Sequence, residues 1–134
     1  MSTYTLVIHG GAGTILKKDL TNELEAAYRK GLDDALKAGY ALLEKGKTAV
    51  EAVLAATISL ENNILFNAGK GSVFGKDGSQ EMDASIMDGK NLMAGAVSAV
   101  RNVRNPVELA HAIMNKSQHV MLNGNGALEF AKEH

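Results

Sequence analysis

The chain has 134 residues, 46% of them hydrophobic and 22% charged, which excludes a disordered tail and predicts a single unit over residues 1–134. Fourteen basic residues against fifteen acidic ones leave a formal charge of −1, so we expect neither nucleic acid nor a membrane as a partner. The chain contains no Cys, which excludes disulfides, thiolate nucleophiles and Cys-ligated zinc.

The first residues carry no recognisable targeting signal. Met1-Ser-Thr-Tyr-Thr-Leu-Val-Ile-His9 lacks the basic start and the long apolar stretch of a signal peptide. No stretch approaches the roughly 18 consecutive apolar residues that a membrane span requires. The sequence therefore predicts a cytoplasmic protein.

The first part of the chain predicts one strand and two helices. Residues 4–9 are mostly β-branched or apolar and end at glycines, which predicts a buried strand. From 20 to 45, apolar residues recur at helical spacing and stop at Gly46, which predicts an amphipathic helix. A second helix should begin at Thr48-Ala-Val-Glu51, a capping-box pattern, and residues 49–60 are apolar enough to be buried on most sides.

The middle of the chain predicts three short strands. They are expected at 71–74, 80–87 and 92–100, joined at Asp77-Gly78 and Asp88-Gly89, which are both hairpin dipeptides. The third strand has small or apolar residues on both faces. We therefore expect it to be covered from both sides, since an exposed apolar strand promotes aggregation.

The last part of the chain predicts a helix, a strand and a further helix. Asn105-Pro106-Val107-Glu108 has the pattern of an N-cap, a Pro at the first helical position and a capping Glu, for a helix that runs to about Lys116. A strand over 119–122 and a helix from Ala127 onward follow. The predicted order is βααβββαβα, an α+β fold built from layers of sheet and helix.

Three glycines in four positions follow the first predicted strand, in His9-Gly10-Gly11-Ala12-Gly13. Glycine lets the backbone approach another group closely, and exposed backbone N–H groups bind anions or developing oxyanions. A dinucleotide fingerprint is excluded because Leu16 stands where its last Gly is required, and Gly69-Lys70-Gly71 lacks the Ser or Thr of a phosphate loop. A lipase-like oxyanion loop would need a Gly-x-Ser-x-Gly elbow, which the sequence lacks. A tight turn without a functional contact is the alternative.

A second loop, residues 60–71, leaves the buried helix and enters a predicted strand. It contains two glycines and three amide side chains, which suggests an ordered loop whose carbonyl groups turn inward. Main-chain oxygens arranged in this way ligate hard cations. An ordinary connection between two elements is the alternative.

The other chemistry-bearing side chains form no complete catalytic set. Glu81 and Asp83 share one face of a predicted strand, so a carboxylate pair is conceivable, but neither has an evident partner, and Asp88 is explained by its turn. The histidines at 9, 111, 119 and 134 lack metal-ligand spacing, and we expect His111 and His119 to be packing or surface residues. With no Cys and no serine elbow, the chain offers no nucleophile together with its base.

Five segments together resemble one enzyme family: Val7-Ile-His-Gly-Gly-Ala-Gly13, Phe66-Asn-Ala-Gly-Lys-Gly71, Glu81-Met-Asp-Ala-Ser-Ile-Met-Asp-Gly89, Ala94-Gly-Ala-Val-Ser-Ala-Val100 and Asn105-Pro106. It is the plant-type (type III) L-asparaginase/isoaspartyl peptidase family of N-terminal nucleophile hydrolases, and the resemblance runs in register from about Thr5 to Phe130. It implies a four-layer αββα sandwich. It also implies a precursor that cuts itself before an internal Thr, which then attacks the side-chain amide of the substrate while its own α-amine acts as base.

The resemblance further implies roles for residues of both loops. Asn67 matches an asparagine that helps to orient the oxyanion side of the active site. His9, Gly10, Gly11 and Gly13 match a glycine-rich loop beside the catalytic Thr, which is implicated in self-cleavage. The residues whose main-chain oxygens match those binding a structural sodium ion are Leu60, Glu61, Asn63, Phe66, Ala68 and Lys70. No cofactor is implied for the chemistry.

The chain departs from the family pattern at the nucleophile. Its only Gly-Thr step, Gly13-Thr14, is followed by Ile-Leu-Lys-Lys and is not a Gly-Thr-Val-Gly cleavage motif. The resemblance therefore implies an α subunit whose β partner, cut from the same precursor, supplies the Thr. Together they would form an (αβ)2 heterotetramer that hydrolyses L-asparagine and β-aspartyl (isoaspartyl) dipeptides. The alternatives are a glycosylasparaginase-like amidase, a class that is typically secretory and disulfide-bearing, and a non-catalytic small-ligand binding module.

Overall fold

The computed structural model describes residues 3–13 and 15–134, so Thr14 of the Gly13-Thr14 step lies outside the described residues. Within these ranges the chain has mixed α and β structure, in agreement with the predicted α+β class. The helices are α1 (Asn22–Glu44), α2 (Ala49–Glu61), α3 (Pro106–Lys116) and α4 (Gly124–Glu133), and the strands are β1 (Met82–Met87), β2 (Ala94–Val100) and β3 (Met121–Asn123). Two 3-10 turns span Lys17–Asp19 and Gly69–Gly71. None of the helices in these ranges is both long and apolar enough to cross a membrane.

The first two helices form as predicted, and they pack against each other. The capping box at the start of α2 is confirmed: the Thr48 hydroxyl accepts from the Glu51 N–H at 3.2 Å, and the Glu51 carboxylate accepts from the Thr48 N–H at 2.8 Å. The two helices approach closely at Gly39 of α1, where a Cβ atom would lie 2.7 Å from the Ala52 carbonyl oxygen. This closeness explains why a glycine stands inside a long helix.

The sheet has β2 at its centre and packs one face on α3. β2 pairs antiparallel with β1 and parallel with β3. Strand and helix come closest at Gly95, where a Cβ atom would overlap the carbonyl oxygen of Ala110. The buried residues that form this core are Met82, Ile86, Val97, Val100, Val107, Leu109, Ala110, Ile113, Met114 and Ala127.

The opposite face of the sheet is exposed in the part of the chain that the structure describes. In β1 the buried Met82 and Ile86 alternate with the exposed Asp83, Ser85 and Met87. Among the described residues, the expectation that β2 is covered from both sides is therefore met on one side only.

Two of the predicted strands do not form in the described residues. Residues 4–9 pair with no strand, and Tyr4 instead meets Tyr40 of α1 edge to face, with ring centroids 5.3 Å apart. Residues 71–74 begin at the last residue of the 3-10 turn Gly69–Gly71 and also stay unpaired. A strand exists only through its hydrogen-bonded neighbour, which an apolar pattern does not specify. The observed order of helices and strands is ααββαβα rather than βααβββαβα.

One of the two predicted hairpin turns joins paired strands. At Asp88-Gly89 the Asp88 N–H donates to the Met93 carbonyl and the Asp88 carbonyl accepts from the Leu92 N–H, both at 2.8 Å, which closes the β1–β2 hairpin. Asp77-Gly78 also forms a turn, with the Gly78 N–H donating to the Gly75 carbonyl at 3.0 Å, but no described strand precedes it. The remaining differences are shifted ends: β1 begins at Met82 rather than Gln80, β2 at Ala94 rather than Leu92, β3 covers 121–123 rather than 119–122, and α4 begins at Gly124 rather than Ala127.

Candidate functional site

The two loops singled out from the sequence meet at one open cavity. It has a volume of about 650 Å³ and is walled by residues 9–13 on one side and 65–68 on the other. Tyr28 and Leu32 of α1 also line it. The glycine-rich loop and Asn67 therefore share a cavity, while the catalytic roles given to them remain predictions.

The ring of Phe66 holds the two loops together. Phe66 is buried, and Tyr28 meets it edge to face with ring centroids 5.9 Å apart. A Cβ atom at Gly10 would lie 3.1 Å from Phe66 Cε1, and one at Gly31 would lie 2.9 Å from Phe66 Cε2. The ring thus occupies the space that side chains at these two glycines would need, and it fixes the position of the next residue, Asn67.

Asn67 is exposed at the cavity and anchored on one side only. Its Oδ1 accepts from the Val73 N–H at 3.0 Å. In the described part of the chain its Nδ2 has no hydrogen-bond acceptor. The anchored oxygen fixes the plane of the amide, and the Nδ2–H groups are left as donors for a ligand.

The loop 60–71 curls tightly around its own carbonyl groups. Gly69 takes a positive φ of 52°, and a Cβ atom there would lie 2.5 Å from the Glu61 carbonyl oxygen. A Cβ atom at Gly71 would overlap the carbonyl oxygen of Phe66 and lie 2.7 Å from that of Ile64. Glycine is therefore required at both positions because backbone oxygens occupy the space of a side chain.

Four of the six main-chain oxygens predicted to bind a cation also accept a backbone N–H. The N–H of Asn63 donates to the carbonyl of Leu60 (3.0 Å), that of Phe66 to Asn63 (3.4 Å), that of Ala68 to Phe66 (2.8 Å) and that of Gly71 to Ala68 (3.1 Å). A carbonyl oxygen has two lone pairs, so it can accept one hydrogen bond and still ligate a cation. The loop therefore has the donor chemistry that a hard cation such as sodium requires.

A buried carboxylate connects this loop to α3. Glu61, the last residue of α2, is 3% exposed. Its Oε1 accepts from the Val107 N–H at 3.0 Å, and its Oε2 accepts from Asn105 Nδ2 at 3.1 Å. Burial raises the pKa of the Glu61 carboxyl, and the hydrogen bonds from Asn105 and Val107 oppose that rise.

Asn105 stands at the N-cap position that the sequence predicts, but its side chain does not cap α3. Its amide turns to Glu61, and the Glu61 carboxylate receives the Val107 N–H in its place. The expected cap is therefore wrong in its acceptor: the Glu61 carboxylate, from another helix, accepts the hydrogen bond of the free Val107 N–H in place of the Asn105 side chain. From the sequence, Glu61 is identified only as a main-chain ligand of a cation. The one signal for a role of its side chain is that a lone Glu stands at the end of an apolar helix.

Glu81 and Asp83, the conceivable catalytic pair, make hydrogen bonds and ion pairs with different partners. Asp83 Oδ1 accepts from the N–H of Ala99 at 2.8 Å, where the backbone φ is positive at 51°. Glu81 pairs with Arg101 at 2.6 Å, and Asp77 lies 3.3 Å from the same guanidinium. The hydrogen bonds from Ser79 lower the pKa of Asp77. These carboxylates stabilise the backbone at Ala99 and the turn at Asp77-Gly78 rather than forming a site.

The histidines lie at separate places in the fold. His9 lines the cavity of the two loops, His111 is half-buried on α3, and His119 is exposed. His134 packs on Phe130 with ring centroids 4.4 Å apart. Among the described residues, no three His, Asp or Glu side chains converge to hold a metal ion.

A larger groove of about 810 Å³ lies elsewhere, and its walls include Lys70, Phe74, Met82 and residues 101–104. It contains neither Asn67 nor the glycine-rich loop. Arg101, one of its cationic side chains, is engaged with Glu81. We therefore assign the candidate site to the smaller cavity, where the predicted backbone and amide groups meet.

Known proteins are similar to this chain over nearly its whole length. A family model described as asparaginase matches residues 2–134. An isoaspartyl peptidase/L-asparaginase of Xenopus laevis is 50% identical over 127 residues, which cover 95% of this chain and 40% of that protein. A putative isoaspartyl peptidase/L-asparaginase of Dictyostelium discoideum is 49% identical over 127 residues, which cover 95% of this chain and 37% of that protein. An isoaspartyl peptidase of Salmonella typhimurium is 43% identical over 131 residues, which cover 98% of this chain and 42% of that protein. The chain thus spans about two fifths of the length of these relatives.

Proposed function

Because the chain belongs to the asparaginase family, we propose that it is the α subunit of an amidohydrolase that converts L-asparagine to L-aspartate and ammonia and cleaves β-aspartyl (isoaspartyl) dipeptides. The names of its relatives, which are isoaspartyl peptidases or isoaspartyl peptidase/L-asparaginases, support this activity. The observation that carries the proposal is that residues 9–13 and Asn67 line one cavity.

In this proposal the nucleophile is the N-terminal Thr of a β subunit cut from the same precursor, and this chain supplies its surroundings. Attack on the side-chain amide develops negative charge on the carbonyl oxygen, so hydrogen-bond donors held in place beforehand lower the barrier. Asn67 is suited to this role because the Val73 N–H fixes its amide group while the Nδ2–H donors stay available. Gly11 and Gly13, where a Cβ atom would meet no described atom within 4 Å, leave room for the reacting group to approach the backbone.

We also propose that the complete enzyme is a four-layer αββα sandwich. The open face of this sheet carries Asp83, Ser85 and Met87 from β1 and Met121 from β3. Small and flexible side chains of this kind allow a second sheet to lie against the first at about 10 Å. The β subunit would supply that second sheet, and two such αβ units would form the (αβ)2 heterotetramer.

A structural sodium ion is the third part of the proposal. The main-chain oxygens of Leu60, Glu61, Asn63, Phe66, Ala68 and Lys70 would hold it, and the curl of the loop around Gly69 and Gly71 supports this assignment. The ion would neutralise the carbonyl dipoles and stiffen the loop. It would take no part in bond breaking, and the side chain of Lys70 would not be needed.

Mass spectrometry of the full-length gene product, combined with a substrate assay, tests the proposal. We expect a companion chain that begins with Thr, ammonia release from L-asparagine and aspartate release from a β-aspartyl dipeptide. Preferential hydrolysis of N-acetylglucosaminyl-asparagine would instead favour a glycosylasparaginase-like amidase. Ligand binding without turnover and without a companion chain would favour a non-catalytic binding module.

A further inference from the structure

We propose that Glu61 is a positioning residue for Asn67: its carboxylate fixes the end of α2 against the start of α3 and thereby holds the loop that carries Asn67. This inference rests on the proposed function, because Asn67 contributes to catalysis only if the chain is part of the amidohydrolase. Glu61 itself touches neither substrate nor nucleophile in this proposal. It acts through the geometry of the loop.

The carboxylate of Glu61 stabilises the start of α3 and destabilises the end of α2, the helix to which it belongs. A carboxylate at the last residue of α2 meets the negative end of that helix dipole, which is unfavourable. The same group lies at the positive end of α3, where Pro106 has no N–H and Val107 offers the first free amide. A charged acceptor at this position is worth more than a neutral one. The bond between the helices, rather than the stability of α2, therefore accounts for a carboxylate here.

The loop that carries Asn67 contacts Glu61 at both of its ends. It leaves α2 directly after Glu61 and returns at Gly69, where a Cβ atom would lie 2.5 Å from the Glu61 carbonyl oxygen and 2.7 Å from the Glu61 Cβ. Glu61, Asn67 and Pro106 also line one small cavity of about 280 Å³. A displacement of Glu61 would therefore be transmitted to Asn67 through a short and tightly packed segment.

A reciprocal exchange of the two side chains tests the link between Glu61 and Asn105, whose amide also lies 3.5 Å from Asn62 Oδ1. Glu61→Gln places an amide N–H opposite the Asn105 amide or the Val107 N–H, where a donor meets a donor. Asn105→Asp places a second carboxylate against Glu61. In the double variant Glu61→Gln/Asn105→Asp, the glutamine oxygen can accept from Val107 and its Nε2 can donate to the new aspartate. Donor and acceptor are then exchanged and the link is restored.

The full-length processed enzyme is the material for the test, with kcat and KM measured per processed chain at a temperature where every variant is folded. We expect each single variant to lose about tenfold or more in kcat with KM changed less than about twofold, since small misplacements of a catalytic group have large effects on rate. The double variant should regain most of that loss. Glu51→Gln, which weakens the cap at the other end of α2, is the matched control and should leave kcat unchanged.

Three outcomes overturn the proposal: a Glu61→Gln enzyme with wild-type kcat, a double variant no better than the single variants, or an equal loss of kcat in Glu51→Gln. If the wild-type protein hydrolyses neither substrate, the proposed function fails by itself, and amide hydrogen exchange at Ala68, Gly71 and Ser72 then reports on the loop. Faster exchange in Glu61→Gln that the double variant reverses supports the positioning role. Unchanged exchange contradicts it.

Discussion

The ring of Phe66 packs against the backbone of Gly31, where a Cβ atom would lie 2.9 Å from Phe66 Cε2 and 2.6 Å from Asn63 Nδ2. Alanine at this position of α1 would force both neighbours on the loop to move. We expect Gly31→Ala to lower the free energy of unfolding by about 1–3 kcal/mol, because overpacking outweighs the gain of up to ~1 kcal/mol in helix propensity. Urea unfolding measures the change.

A second helical glycine provides the control for Gly31. Gly126 of α4 has no atom within 4 Å of the position that a Cβ atom would take. Gly126→Ala should therefore be neutral or stabilising by up to ~1 kcal/mol. Equal stabilisation by both substitutions would mean that Phe66 is not held against Gly31.

The amide of Asn67 gives the most direct test of the candidate site. In the full-length enzyme, Asn67→Ala should lower kcat on the order of 100-fold and change KM much less, because the lost donor acts mainly in the transition state. Asn91→Ala is the matched control, since Asn91 accepts from the Met93 N–H in the β1–β2 turn and lies outside the cavity. The measurement is steady-state kinetics on L-asparagine. If the kcat of Asn67→Ala equalled that of the wild type, Asn67 would not belong to the site.

The range of each interaction explains which features could be predicted from the sequence. The capping box joins Thr48 and Glu51, three residues apart, so a short pattern reveals it. The hairpin at Asp88-Gly89 is equally local. The link between Glu61 and Asn105 spans 44 residues, and no pattern in one sequence pairs such positions.

Residues 4–9 show the same limit for strands. Their apolar and β-branched side chains predict a strand, but the structure has no regular secondary structure there. Whether a segment becomes a strand depends on a neighbouring strand that supplies hydrogen bonds. Within the described residues, Tyr4 instead packs its ring against Tyr40 of α1. The glycine and amide patterns located the two loops and the resemblance to a family implied their roles, but the roles of Phe66 and Gly31 in holding them together emerge only from packing.

The capping box should make the stability of the chain depend on pH. The hydrogen bonds from the Thr48 N–H and hydroxyl, followed by the charge of Lys47, lower the pKa of Glu51. A carboxyl whose pKa is lowered by folding stabilises the protein above its unfolded pKa of about 4.3, and that contribution is lost as the pH falls through the folded value. The stability difference between the wild type and Glu51→Gln should therefore shrink between about pH 5 and pH 3. Urea unfolding at pH 7, 5 and 3 would refute the assignment if the difference stayed constant.

The open face of the sheet provides a test of the sandwich architecture. Ser85 is exposed on β1 within this chain, so Ser85→Arg would be harmless if that face met only water. Against a second sheet, a buried and unpaired guanidinium costs several kcal/mol, and we expect the full-length protein to fail to assemble or to aggregate. Size-exclusion chromatography reports the outcome, with Asn91→Arg in the exposed turn of the same hairpin as control. Normal assembly of Ser85→Arg would contradict the proposed second sheet.

The sodium proposal predicts a stabilisation that is specific for the ion. A ligand that binds only the folded state raises Tm with its concentration, so the Tm of the full-length protein should rise more in sodium chloride than in choline chloride of equal ionic strength. Lys70→Ala should keep this increment because the ligands are main-chain oxygens. Gly69→Ala should lose it, since its φ of 52° is strained for alanine and its Cβ atom would lie 2.5 Å from the Glu61 carbonyl oxygen. Equal melting of the wild type in the two salts would exclude the site, and loss of the increment in Lys70→Ala would assign the binding to a side chain instead.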